Sequence, residues 1–221
     1  MNCIRRVGSL LGLFILSSLA VKGQVKFNEG VLEYRVQIKN EADTIRNEGT
    51  FTIHIKEGNV RKELKLNNGY DHVTLTNYNL GKHIILQKFN KHHYAVEMPE
   101  KEYRKKSAKY SNAQYYQEGS WLHVDDSLQE TNGKRVDITY RHGKTTSAYV
   151  LDKYYLDYPR IFEQMPEIVG IPVAFQIESG NNYTMSFRLI KCNPQPISNN
   201  IFRIPEGYRI ISHQEYDKLA K

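Results

Sequence analysis

Apolar and polar residues alternate along much of this chain, and a period of two admits little besides β-strand. From Val31 to Ile38 the positions Leu32, Tyr34, Val36 and Ile38 are apolar, while Glu33, Arg35 and Gln37 are charged or polar. Successive side chains of a strand point to opposite faces, so the segment predicts a strand with one wet face and one buried face. Phe51, Ile53 and Ile55 alternate with Thr52, His54 and Lys56, and Glu57-Gly58-Asn59 turns the chain before Leu64 and Leu66. That is the pattern of a hairpin. Further strands are expected around Val73 and Leu75, over Ile84 to Phe89, and through Tyr94, Val96 and Met98. Others follow at Trp121 to Val124, at Val136, Ile138 and Tyr140, at Ser147 to Leu151, at Val173, Phe175 and Ile177, and at Met185, Phe187 and Leu189.

Three segments break the alternation. Residues 99–119 combine Pro99, a lysine-rich run and four tyrosines, and read as a long loop or a frayed helix. Pro159 suits a first helical turn, and Ile161, Phe162 and Met165 lie at i, i+1 and i+4 before Pro166, which predicts a short apolar helix. Near the end, Ser212 and Glu215 have capping-box spacing for a last small helix. Ten to twelve short strands with one or two short helices predict a mainly β, antiparallel fold. A sheet with one wet face must cover the other, so the strands are expected to form a single curved sheet with a cavity beside the detached helix.

The first residues carry a different signal. Arg5 and Arg6 precede an apolar run from Val7 to Val21 that contains small residues, and the chain turns polar from Lys22. This is the pattern of an export signal, so residues 1–23 are expected to be a signal peptide and 24–221 a single β domain in the periplasm or outside the cell. Arg5, Arg6 and Lys22 supply +3 of the chain's +7, which leaves +4, too little for a polybasic nucleic-acid binder. Cys3 would leave with the signal. Cys192 then stands alone, and no intramolecular disulfide is available.

Few residues suggest chemistry. His92 and His93 invite a metal reading with His83, but neighbours on a strand face opposite ways. His123 and Asp125 could share one strand face as an acid–base pair, yet no G-x-S-x-G or H-E-x-x-H accompanies them. Lys101, Arg104, Lys105, Lys106 and Lys109, interleaved with tyrosines, form a candidate contact for anionic headgroups or glycans. Ile161, Phe162 and Met165 are the candidate ligand-binding residues, as the lining or lid of an apolar cavity. No catalytic or metal-ligating residue is assigned and no cofactor is expected.

The segment Phe202-Arg203-Ile204-Pro205-Glu206-Gly207-Tyr208 resembles the F-x-x-P-E-G-Y ending of secreted Bacteroidetes proteins of the DUF4412-like group. Glu29-Gly30-Val31-Leu32-Glu33-Tyr34 and Gly170-Ile171-Pro172-Val173 fit the same order, although the group's internal glycine-tyrosine-x-cysteine segment is absent near Gly133 to Tyr140. That group is similar to the LolA/LolB-like lipoprotein carriers. The resemblance implies an unclosed, half β-barrel around short helices, and an envelope protein that binds a lipid, an acylated protein or another hydrophobic ligand. The alternatives are a noncatalytic module that contacts an envelope protein or glycan, and a secreted hydrolase. No nucleic-acid partner and no transmembrane segment in the mature chain are expected.

Overall fold

The computed structural model describes residues 24–123, 132–151, 153–158, 160–179 and 182–219, so the expected signal peptide lies outside the described residues. A first short strand, β1 (Val25–Lys26), leads into β2 (Glu29–Lys39), β3 (Ile45–Lys56), β4 (Asn59–Leu66), β5 (Asp71–Asn77), β6 (Lys82–Phe89) and β7 (His92–Met98). Helix α1 (Glu100–Ser107) and a 3-10 turn, Ala108–Tyr110, follow. Next come β8 (Gln114–His123), β9 (Asn132–Thr139), β10 (Thr145–Leu151), β11 (Tyr154–Tyr155), β12 (Ile171–Ser179) and β13 (Tyr183–Pro194). A second 3-10 turn, Asn199–Phe202, precedes β14 (Tyr208–Ser212) and helix α2 (His213–Leu219).

Twelve strands form one sheet in the order β14-β7-β6-β5-β4-β3-β2-β13-β12-β10-β9-β8. The end strands β14 and β8 do not pair with each other, so the sheet is open and unclosed. It is mainly antiparallel hairpins, as alternation and turn chemistry predict. Two pairings are parallel: β14 runs parallel to β7 at the sheet edge, and β1 pairs in parallel with β11 as a separate two-stranded sheet.

The parallel edge has a physical cause. The outward positions Val73, Leu75, Ile84, Leu86 and Ala95 make a second apolar patch on the side away from the main core. A solvated sheet face cannot leave such a patch bare at no cost. After β13 the chain crosses this face, held by Lys56 Nζ donating to the Ile197 carbonyl at 2.7 Å and by Arg61 donating to the Ile201 carbonyl at 3.0 Å. Ile204 and Tyr208 cap the patch. A chain that traverses the whole face and then joins the far edge arrives parallel to β7. Pro205-Glu206-Gly207 is the turn that makes this entry, with Gly207 at φ +81°. Asn199–Phe202 is thus a 3-10 turn on the way, and Ile204 after it is part of the cover.

The main core lies on the inner face. Leu32, Tyr34 and Val36 of β2, Ile53 and Ile55 of β3, and Val173 and Phe175 of β12 are all buried there. Tyr34 is fully enclosed, meets Phe51, Phe162 and Phe175 at ring distances of 5.7–6.2 Å, and donates its hydroxyl to the Pro172 carbonyl at 2.9 Å. Two segments cross this face: 99–113, which carries the chain from one edge to the other, and 160–170.

Helix positions differ from expectation. The loop-or-helix segment 99–119 resolves into α1, a 3-10 turn and the start of β8. The predicted helix at Ile161 to Met165 is a series of turns, with Ile161 N–H bonded to Tyr158, Met165 to Phe162 and Ile168 to Met165. Proline at 166 disfavours the helical conformation for Met165 and would clash with the Phe162 carbonyl, so an i,i+4 ladder cannot run through. The final helix forms as predicted. Glu215 accepts from Ser212 N–H at 2.8 Å, and Ser212 Oγ accepts from Glu215 N–H at 3.2 Å.

Gly49 in β3 sits so close to β4 that a Cβ there would lie 2.0 Å from the Lys65 carbonyl oxygen and 2.8 Å from Leu66 Cα. Both are backbone atoms, so a side chain must push the strands apart. Gly49→Ala is expected to lower stability by about 1–3 kcal/mol in urea unfolding.

Candidate functional site

Segment 160–170 is a strap across the inner face. It has no regular ladder, so its polar backbone needs other partners. Tyrosines supply them. Tyr78 donates to the Arg160 carbonyl at 2.8 Å, Tyr140 donates to the Gln164 carbonyl at 2.8 Å, and the Tyr115 hydroxyl accepts from Glu167 N–H at 3.2 Å. Between these ties the strap sends Ile161, Phe162, Met165 and Ile168 into the core. Phe162 stands edge-on to Tyr34 and Phe175 at 6.2 and 5.8 Å. The three candidate ligand-binding residues Ile161, Phe162 and Met165 are therefore together, buried, and filling the hollow of the sheet with the protein's own side chains.

Beside the strap lies a polar cluster that the sequence reading missed. Lys62 of β4 occupies the inward row with Val60 and Leu64, a row that alternation reserves for apolar residues. Its ammonium donates to Glu163 of the strap at 2.8 Å. Burial disfavours the charged lysine, but the adjoining carboxylate outweighs it and raises the pKa above its ordinary value. Burial likewise works against the Glu163 carboxylate, and Lys62 outweighs it, holding that pKa low. Nearby, the buried His83 ring stacks on Tyr103 of α1 at 3.6 Å. His83 Nε2 meets Glu100, and Nδ1 lies 3.3 Å from the Thr76 hydroxyl. Burial lowers the His83 pKa despite Glu100 and so disfavours the imidazolium; in the neutral ring, a proton on Nε2 serves the carboxylate and leaves Nδ1 to accept from the threonine hydroxyl. A lysine in the apolar phase of a strand was the one sequence signal for this cluster.

A cleft opens at one end of the sheet. β10 pairs with β12 from Leu151 to Ala148 and no further, although β10 continues paired to β9 down to Thr145 and β12 continues paired to β13 up to Ser179. Below Ala148 and Phe175 the two strands part. The resulting space, about 910 Å³, draws its lining from both faces of the sheet: Arg35, Arg188 and Tyr149 from the outer one, Tyr110, Tyr140 and the strap's Gln164 from the inner one. Lys144 of the β9–β10 turn and Glu178 of β12 form an ion pair at its mouth.

The candidate basic run divides. Lys109 lines the cleft, with its ammonium 4.8 Å from the Tyr110 ring. Lys101, Arg104 and Lys105 are exposed on α1, and Arg104 pairs with Glu100 one turn earlier. Lys106 belongs to the same helix, but its side chain lies outside the described residues. His92 and His93 are both exposed, while His83 is buried, and among the described residues no three His, Cys, Asp or Glu side chains gather to hold a metal. Asp125 and the His123 side chain lie outside the described residues. Among those described, no helix is long and apolar enough to cross a membrane.

No known protein family matches the sequence, and no curated protein does either. Among solved structures the chain is similar to a LolA superfamily protein from Nitrosomonas europaea, at 8% identity and a TM-score of 0.37, over 82% of this chain and 92% of that one. It is also similar to a domain from Vibrio parahaemolyticus described as a candidate outer-membrane lipoprotein-sorting protein, at 7% identity and a TM-score of 0.31, over 81% and 91% of the two chains. Both are likenesses of fold alone.

Two outcomes follow from the titratable groups. Glu163, with its pKa lowered on folding, contributes stability that is present above the ordinary value of 4.5 and lost as pH falls through the folded value. Lys62, with its pKa raised, contributes stability that is present below 10.5 and lost as pH rises through the folded value. Because 36% of the Glu163 side chain meets solvent, the pair is screened relative to a fully buried one. Glu163→Gln is expected to cost about 1–3 kcal/mol at pH 7 and to flatten the acid limb of a stability–pH curve. The half-buried Cys192 thiol, pushed up to about 11 by burial, is expected to alkylate far more slowly than free cysteine at pH 8, and at the ordinary rate once the chain is unfolded.

Proposed function

We propose that this protein is a noncatalytic binding protein of the cell envelope that takes a hydrophobic ligand, such as an acyl chain, against the inner face of its open sheet. The observation that carries the reading is the strap. It covers a continuous apolar surface with turns rather than strands, and it is fastened by three tyrosine hydrogen bonds and one ion pair. Ile161, Phe162 and Met165 then stand where a ligand's hydrocarbon would lie, and the strap yields when the ligand enters. The F-x-x-P-E-G-Y resemblance to DUF4412-like secreted proteins supports this reading. So does an export signal in residues 1–23 ahead of a single domain, 24–221, in the periplasm or beyond the cell.

A second reading, contact with an anionic envelope surface or glycan, draws on Lys101 and Lys105, which α1 presents to solvent beside the cleft residue Lys109. Lys106 of the same helix and the pairing residue Arg104 complete that proposed surface.

The experiment for the first reading is titration of the purified protein with a fluorescent long-chain fatty acid. Saturable binding at one site is expected. Phe162→Ala should tighten it by vacating space beside Tyr34 and Phe175, at a stability cost of about 3–5 kcal/mol. Met165→Ala supplies a second test should the first variant unfold. Absence of saturable binding by the unaltered protein would overturn the reading.

A further inference from the structure

Arg35 and Arg188 face each other directly across β2 and β13, on the outer side of the sheet and on the wall of the cleft. Residues so paired have Cα atoms about 5 Å apart, and like charges placed opposite one another destabilise a sheet. Such a pair is ordinarily neutralised by carboxylates. Among the described residues, neither arginine has an ion-pair or hydrogen-bond partner. The other charges lining the cleft are largely committed: Lys39 pairs with Asp43 at 2.9 Å, and Lys144 pairs with Glu178, the one acidic residue of the lining. Glu48 of β3 accepts from Gln37 at 2.8 Å, and Asp137, farther along the outer face, holds Arg135 and Ser147. Ser186 and Gln176 sit on the same face as the arginines and also line the cleft. The site therefore holds two guanidinium groups side by side, neither bonded to a carboxylate among the described residues, with neutral donors beside them.

From this juxtaposition we propose that Arg35 and Arg188 together clasp a phosphate group at the cleft. Each guanidinium fork can take two oxygens of an oxyanion. A phosphate monoester presents three terminal oxygens and close to two negative charges, so it matches two adjacent forks in charge and in acceptors better than a singly charged carboxylate does. Lys109, whose ammonium lies over the Tyr110 ring, adds a third positive charge to the lining. The clasp lies on the outer face and is independent of whether the inner hollow takes a hydrocarbon. The phosphate could come from a lipid headgroup or from a small phosphorylated solute, and the chemistry of recognition is the same.

Isothermal titration calorimetry of the purified protein with inorganic phosphate, and separately with a short-chain phosphatidic acid kept below its micelle concentration, tests the proposal. One site is expected for each probe. Arg35→Gln and Arg188→Gln should each weaken binding about tenfold or more, and the double variant should abolish it. Arg209→Gln, on the distant strand β14, should leave binding unchanged. In the absence of phosphate the double variant should melt no lower than the unaltered protein, because it removes a repulsion and leaves no buried charge unpaired; this separates loss of a site from loss of fold. Tighter binding of phosphatidic acid than of phosphate assigns the group to a lipid headgroup, and equal binding assigns it to a solute. Failure of the unaltered protein to bind either probe, or equal affinity in the double variant, would overturn the clasp. Neither result touches fatty-acid binding at the inner face.

Discussion

An open sheet of this size has one overriding need, which is to cover its apolar inner face without a second sheet. The chain meets that need with segments 99–113 and 160–170, drawn across the hollow. Irregular backbone over a core carries polar groups that water cannot reach, and each unpaired one costs free energy. Tyrosine suits the task because its ring joins the core while its hydroxyl reaches a carbonyl. Tyr78 and Tyr140 do this for the strap and Tyr34 does it for Pro172, while the Tyr115 hydroxyl accepts from the Glu167 N–H.

The outer face shows the same constraint solved differently. Strands β5, β6 and β7 carry the outer apolar patch of Val73, Leu75, Ile84, Leu86 and Ala95, which a solvated face cannot leave bare at no cost. The C-terminal segment crosses them, and its last strand joins the edge in parallel, the direction the crossing dictates. Farther along the sheet the outer face is polar and left open, and there the parting of β10 from β12 makes the cleft. The two faces therefore divide the molecule between a closed apolar interior and an open cationic cleft.

Most strands were legible because alternation is local: Leu32, Tyr34, Val36 and Ile38 point inward in the structure as the pattern requires. The final helix was legible because Ser212 and Glu215 lie within one turn of each other. Ile161, Phe162 and Met165 were correctly grouped as one apolar set, but their conformation was not a helix, since Pro166 overrode the spacing. Helix α1 was obscured by its own charge: it has no apolar stripe, and it is fixed to the sheet through His83, on which Tyr103 stacks and to which Glu100 bonds. Lys62 was not legible because a charge in an apolar phase has no meaning until its partner, Glu163, is brought to it from a distant segment.

By itself the sequence determined that this chain makes strands, which side of each is buried, and where several turns fall, because these follow from the geometry of a residue and its near neighbours. The tertiary structure alone decided which segment covers which face, that β14 enters in parallel, that Lys62 meets Glu163, and that Arg35 stands opposite Arg188. Those outcomes depend on pairing between strands far apart in the chain, and alternation says only which way a side chain points, not what it will face.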